Sequence, residues 1–175
     1  VGAVDQYGAL ATFSNRAGRA QQHYLVAPGV DIVTTAKGGG MAVYDGTSFA
    51  VPHVAGAAAA LMSAAPYLTG QKVTELLLTT ARDLGEPGVD PIYGRGMVDL
   101  EAALRPQGEA VVPTGETVAT GGMPLSETEL QLGAAFGDAL SANAALAEGT
   151  FIDAYGRTYG ADLGARVGAI TSAPD

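Results

Sequence analysis

Gly46-Thr47-Ser48-Phe49-Ala50-Val51-Pro52-His53-Val54-Ala55-Gly56 is a turn of small residues that runs straight into an almost wholly apolar stretch. Pro52 lacks a backbone N–H and its ring clashes with the preceding turn of a helix. A helix tolerates it in the first turn, so the reading places the start of a helix between Ser48 and Val51. Ser48 then stands at a helix N-terminus, where the leading amides have no intrahelical partner and the macrodipole favours negative charge. That setting suits an oxyanion developing beside a serine nucleophile. Gly46 and Thr47 keep the approach to the hydroxyl uncluttered. A serine ahead of a helix is ordinarily just its N-cap, so the turn alone does not decide between a capping hydroxyl and a reactive one.

Working outward, the residues after Ser48 read as a helix to Ala65 that is apolar on every face and rich in Ala, the pattern of a helix enclosed by other elements. Its longest apolar run, Val54 to Met62, falls short of the ~20 residues of a bilayer span. Upstream, Val1–Asp5, Tyr24–Ala27, Ile32–Ala36 and Met41–Tyr44 are short, largely apolar or β-branched segments that read as strands, with Leu10–Phe13 as a return and Ser14–Arg19 as a polar loop. Pro28-Gly29 is a turn dipeptide. Gly38-Gly39-Gly40 is a flexible tip; it is followed by no Lys-Ser or Lys-Thr and opens no helix, so it is not a phosphate cradle. Downstream, Thr69 caps a second helix whose Val73, Leu76 and Leu77 recur at helical spacing while Lys72, Glu75 and Arg82 face water. Leu84–Tyr93, with two glycines and two prolines, is a loop. Asp99 caps a third, short helix over Leu100–Leu104 that Pro106 stops.

The motif around Ser48 resembles, at every fixed position, the active-serine motif of the subtilisin-like serine proteases, Gly-Thr-Ser-x-Ala-x-Pro-His-Val-Ala-Gly. Val1-Gly2-Ala3-Val4-Asp5, Phe13-Ser14-Asn15, Ala27-Pro28-Gly29, and Tyr93-Gly94-Arg95-Gly96 with Val98-Asp99 resemble, in the right order, the segments around that motif. The resemblance covers residues 1 to about 105. It implies an α/β fold: the C-terminal portion of a subtilisin-like parallel-sheet sandwich with flanking helices. It also implies Ser48 as the catalytic nucleophile of a serine endopeptidase, Thr47 as a substrate-binding residue on the oxyanion side, and a polypeptide substrate. Phe49 occupies the slot where many subtilisins carry Met, so the site is expected to resist oxidation of a thioether there.

A serine hydroxyl needs a general base within ~2.6–3.2 Å and a group behind it that fixes the base's tautomer. The chain has two histidines. His53 lies five residues beyond Ser48 on the same helix and points well around the axis from it, at ~100° per residue; it reads as structural. His23 sits in a polar stretch and reads as solvated. Asp45, three residues before Ser48, reads as a solvated or backbone-bonded turn residue rather than a triad acid. In the family the acid and base come from upstream Asp-x-Gly and His-Gly-Thr-His segments, and neither motif occurs here. The partner implied is therefore the N-terminal part of the same protease, and little proteolysis is expected of this chain alone. The alternative is a truncated or degenerate remnant that serves as a non-catalytic structural or interaction module.

The rest of the composition narrows the field. With 175 residues, 47% hydrophobic and 15% charged, the chain is globular. A net charge of −9 leaves no basic stripe to neutralise phosphates, so nucleic acid is not an expected partner. The absence of Cys excludes a disulfide framework, a Cys-ligated metal and a thiol nucleophile. No metal or cofactor is expected: there is no Asp-x-Asp calcium loop, although subtilases often bind calcium elsewhere. No basic start followed by an apolar run opens the chain, so any secretory signal is expected outside it.

Composition shifts after Arg105. Residues 106–125 read as a linker, poor in large apolar groups. Residues 126–175 read as a helix plus hairpin: Ser126-x-x-Glu129 has the form of a capping box ahead of Leu132, Phe136 and Leu140, and Thr150–Ala154 and Thr158–Leu163 flank a Tyr155-Gly156-Arg157 turn. Ala135–Leu140 and Phe151–Arg157 together resemble the junction of subtilisin-like autotransporters of Gram-negative bacteria. That implies secretion or display at the bacterial surface or outer membrane, with membrane contact only through a barrel outside this chain.

Overall fold

The computed structural model describes residues 1–113, 122–124, 130–132, 149–162 and 167–169. The chain divides into two units, Val1–Arg105 and Pro106–Asp175. The first is α/β.

Its centre is a parallel pair, β1 (Gly2–Val4) and β2 (Val26–Pro28), with Gly2 opposite Val26 and Val4 opposite Pro28. Ala3, Val4, Val26 and Ala27 are wholly buried, as a parallel pair covered on its faces requires. On its far side β2 is extended by the chain near Met97: Val26 N donates to Gly96 O, and Val98 N donates to Val26 O. Met97 in turn exchanges both backbone bonds with Arg82 at 2.8 Å. Gly96 makes this approach feasible, since a Cβ there would lie 2.2 Å from Arg82 O, and its φ of +102° is one that side chains resist.

The strand expectations place the elements but overstate some lengths. Leu10–Phe13 makes one bridge, Val4 to Leu10, before turning. The polar stretch ahead of Tyr24 holds a 3-10 helix, Gly18–His23, that the composition does not announce. The antiparallel hairpin β3 (Ile32–Thr35) and β4 (Met41–Tyr44) forms around the Gly38–Gly40 tip.

Helix α1 (Thr47–Ala64) starts at Thr47, one residue before the expected range, and so takes Pro52 inside it. The physical consequence is local. Pro52 cannot donate to the carbonyl four residues back, that of Ser48, and the first turn goes without that bond. A second correction concerns burial. Of the 18 residues of α1 only Ala50, Ala57 and Leu61 are buried, whereas Val51 and Met62 are half exposed at 48% and 50%. The helix packs on β1, β2, α2 (Gly70–Thr79) and α3 (Leu100–Leu104), which cover part of its circumference and leave the remainder open. By length and composition α1 could cross a membrane, its mean hydropathy being 1.2 over 18 residues.

Where α1 meets the parallel pair, the contact is made by Ala3, Ala27 and Ala50, with Ala11, Val54 and Val98 packed around them. Small side chains bring helix and strands close. The capping predictions for α2 and α3 hold: Thr69 Oγ1 accepts from Lys72 N, and Asp99 Oδ1 accepts from Ala102 N at 2.8 Å. Val73, Leu76 and Leu77 are the buried residues of α2, and Lys72 and Glu75 are exposed.

In the second unit the expected linker contains two strands. β5 (Val111–Pro113) pairs antiparallel with β6 (Gly122–Pro124) and, at Val111, with Ile152 of β8. The β-branched Val111-Val112 pair suits a strand despite its Pro- and Gly-rich surroundings. Hairpin β8 (Gly149–Ile152) and β9 (Thr158–Ala161) completes a four-stranded sheet in the order β6-β5-β8-β9. Leu130–Leu132, expected as part of the helix that Ser126 opens, is strand β7, paired in parallel with β10 (Val167–Ala169). Backbone groups satisfied by another strand outweigh a weak local helix signal. Ser126, Glu129, Phe136 and Leu140 lie outside the described residues, as does the Ala135–Leu140 half of the autotransporter-like match.

Candidate active site

Ser48 is the second residue of α1 and is exposed. The helix is entered through Gly46, which supplies no side-chain cap; Phe49 N donates to Gly46 O at 3.0 Å. Among the described residues neither the Ser48 hydroxyl nor the Ser48 amide has an intramolecular partner. A capping serine would turn its oxygen onto the amide of the second or third following residue; this one does not. What the turn presents is a free hydroxyl beside an unpaired amide at the positive end of an 18-residue helix. Thr47, half-buried, is the first residue of the helix, immediately beside Ser48.

The turn is held from two sides. Gly46 N donates to Gly29 O at 2.8 Å, and Asp45 Oδ1 accepts from Asp31 N at 2.7 Å. Asp45 is thus committed to a backbone amide. Gly29 is itself tightly placed, since a Cβ there would come within 2.6 Å of the Ala3 Cβ and 2.8 Å of Gly46 O. On the other side, the rings of Tyr44 and Phe49 stack with centroids 5.5 Å apart and planes inclined by 20°. Tyr44 and Phe49 are five residues apart across an irregular turn, and nothing in the residue pattern announces the stack.

His53 has its Nδ1 at 2.8 Å from Phe49 O, one helical turn back. The ring is held against the backbone of its own helix. His23 ends the 3-10 helix and lines a cleft of about 490 Å³ with Gln22, Gln71, Glu75 and Arg95. Among the described residues no bond joins either histidine to Ser48. A separate cleft of about 500 Å³ lies along α1 between Pro52, His53, Gly56, Met97 and Val98. Among the described residues no three His, Asp or Glu side chains come together as metal ligands would.

Comparison with known proteins places these features in context. The sequence model of the subtilase family, Peptidase S8, matches residues 1–96. Subtilisin of Bacillus pumilus is 41% identical over 105 residues, which are 60% of this chain and 36% of that protein. Serotype-specific antigen 1 of Mannheimia haemolytica is 36% identical over 109 residues, 58% of this chain and 12% of that one. Among solved structures, the prenylagaramide maturation protease PagA superposes with a TM-score of 0.54 at 33% identity, over 59% of this chain and 40% of that one. The chain spans about a third or less of the length of the curated relatives that it matches.

Proposed function

The chain belongs to the subtilase family, and on that premise we propose that it carries the nucleophile of a serine endopeptidase whose remaining catalytic groups are supplied by polypeptide N-terminal to Val1. The observation that carries the reading is the exposed Ser48 hydroxyl, unbonded beside an unbonded amide in the first turn of α1. In the reaction, an imidazole from the upstream part takes the hydroxyl proton as Ser48 Oγ attacks the scissile carbonyl carbon. The oxyanion forms next to the leading amides of α1, where donors and helix dipole are already oriented and need not reorganise. The C–N bond breaks, the amine leaves with that proton, and water then releases the acyl group from Ser48. Thr47 flanks the oxyanion side. No cofactor is needed for these steps.

The substrate is a polypeptide. The N-terminal part of the same protease is the structural partner, and the open apolar side of α1 is consistent with a covering element of that kind. We place the parent protein outside the cytoplasm, secreted or displayed at the bacterial surface. The resemblance of Phe151–Arg157 to an autotransporter junction supports this location, with the membrane contacted through a barrel beyond this chain. A second reading, a non-catalytic remnant used as an interaction module, draws on the distance of both histidines from the chemistry: His53 is bonded to Phe49 and His23 lies in another cleft.

Labelling with a fluorophosphonate separates the two. Parent protein containing the upstream segments is expected to take up the label and Ser48→Ala to lose it. Equal labelling of both, or none of wild type, overturns the hydrolase reading.

A further inference from the structure

The Ser48 turn is clasped to the β3–β4 hairpin by a bond whose donor residue has an unusual backbone conformation. Asp31 is the one non-glycine among the described residues with positive φ, at +56°. That left-handed conformation brings Cβ against the following carbonyl oxygen, and such residues persist where their surroundings over-determine them. Here the surroundings are identifiable. Asp31 N donates to the Asp45 carboxylate at 2.7 Å, a charge-assisted bond. Two residues before Asp31 and one after Asp45, Gly46 N donates to Gly29 O. Asp31 leads into β3 and Asp45 follows β4, so the two bonds tie both ends of the hairpin to the entry of α1, three residues from the hydroxyl.

We infer that Asp45 is a positioning residue: by holding Asp31 in the left-handed conformation it fixes the Gly29–Gly46 bond and, through it, the direction in which the first turn of α1 presents Ser48. It touches no reacting atom, and its negative charge is incidental to the role; what the role requires is an acceptor oxygen at that point. This rests on the reading of Ser48 as nucleophile, and the two are separable by experiment.

In the parent protein, Asp45→Ala is expected to slow fluorophosphonate labelling and kcat by about tenfold to a hundredfold, the scale on which small misplacements of a nucleophile act, with KM little changed. Asp45→Asn, which keeps an acceptor oxygen without charge, is expected to recover most of the loss. Asp31→Gly placed on Asp45→Ala is also expected to recover it, because glycine adopts the left-handed conformation unaided. If Asp45→Asn is as slow as Asp45→Ala, or if Asp31→Gly rescues nothing, the clasp is not the cause. Hydrogen exchange of the 175-residue chain tests the clasp without catalysis: Asp45→Ala should speed exchange at both Asp31 and Gly46, and an unchanged Gly46 rate overturns the coupling. Absence of labelling in wild type together with coupled exchange would refute the nucleophile while leaving the clasp standing.

Discussion

Asp153 and Arg157 form the most deeply buried ion pair among the described residues, with side chains 0% and 5% exposed and Nη2 at 2.7 Å from Oδ2. The carboxylate also accepts from the amides of Gln107, Tyr155 and Arg157, so it closes the β8–β9 loop and holds the start of the second unit against it. The Arg157 guanidinium lies over the rings of Tyr155 and Tyr159 at 5.7 and 5.5 Å. Burial alone would raise the Asp153 pKa, but the bonds from Arg157 and Gln107 together outweigh it and hold the carboxyl below its ordinary 3.8. A depressed folded value means that the native state binds fewer protons than the unfolded one. The stabilisation is therefore complete above the ordinary value and drains away as pH falls through it toward the folded one. Unfolding followed by tyrosine signals between about pH 5 and about pH 2 is expected to show this loss, and Asp153→Asn to flatten it. Arg157→Ala, which strands a buried carboxylate, is expected to destabilise the hairpin by about 3–5 kcal/mol in urea titration. At the candidate site, Phe49→Met is expected to make fluorophosphonate labelling of the parent sensitive to peroxide where wild type is not, since a thioether beside Ser48 becomes a polar sulfoxide.

Among the elements, the caps of α2 and α3 each rest on a single side-chain oxygen. Thr69→Ala removes the oxygen that accepts from Lys72 N and should cost about 1 kcal/mol, read as a lowered midpoint of thermal unfolding. Gly96→Ala belongs to another class. Its Cβ would meet a backbone oxygen at 2.2 Å, and a backbone pinned by two bonds between Arg82 and Met97 cannot move aside. Failure to accumulate folded protein is the expected outcome there, whereas Gly56→Ala, with open space around it, should be tolerated. The Thr69 and Asp99 caps could be read from the residues because a cap is decided within four positions of chain. The Gly96 approach could not, because what forbids a side chain there is the backbone of Arg82, fourteen residues earlier in sequence. The same holds for the strands at Val111, Gly122 and Leu130: read locally these are linker and helix, and pairing partners elsewhere in the chain decide otherwise.

For the molecule as a whole, the apolar circumference of α1 matters most. A helix of this composition with three buried residues exposes the kind of surface that soluble proteins cover. The 175-residue chain is expected to bind an apolar dye such as ANS strongly and to associate at high concentration. The parent, with its N-terminal part in place, is expected to do neither, and equal dye binding by both would argue against that part as the cover. The sequence by itself determined the family, the α/β class, the position of the serine and the caps, because each is written in a contiguous motif or a helical period. Only the tertiary structure decided that Ser48 keeps its hydroxyl and amide unbonded, that Asp45 reaches Asp31, that Tyr44 stacks on Phe49, and that α1 lies largely open. Those depend on which distant backbones arrive beside the turn, and no periodicity in the chain encodes an arrival.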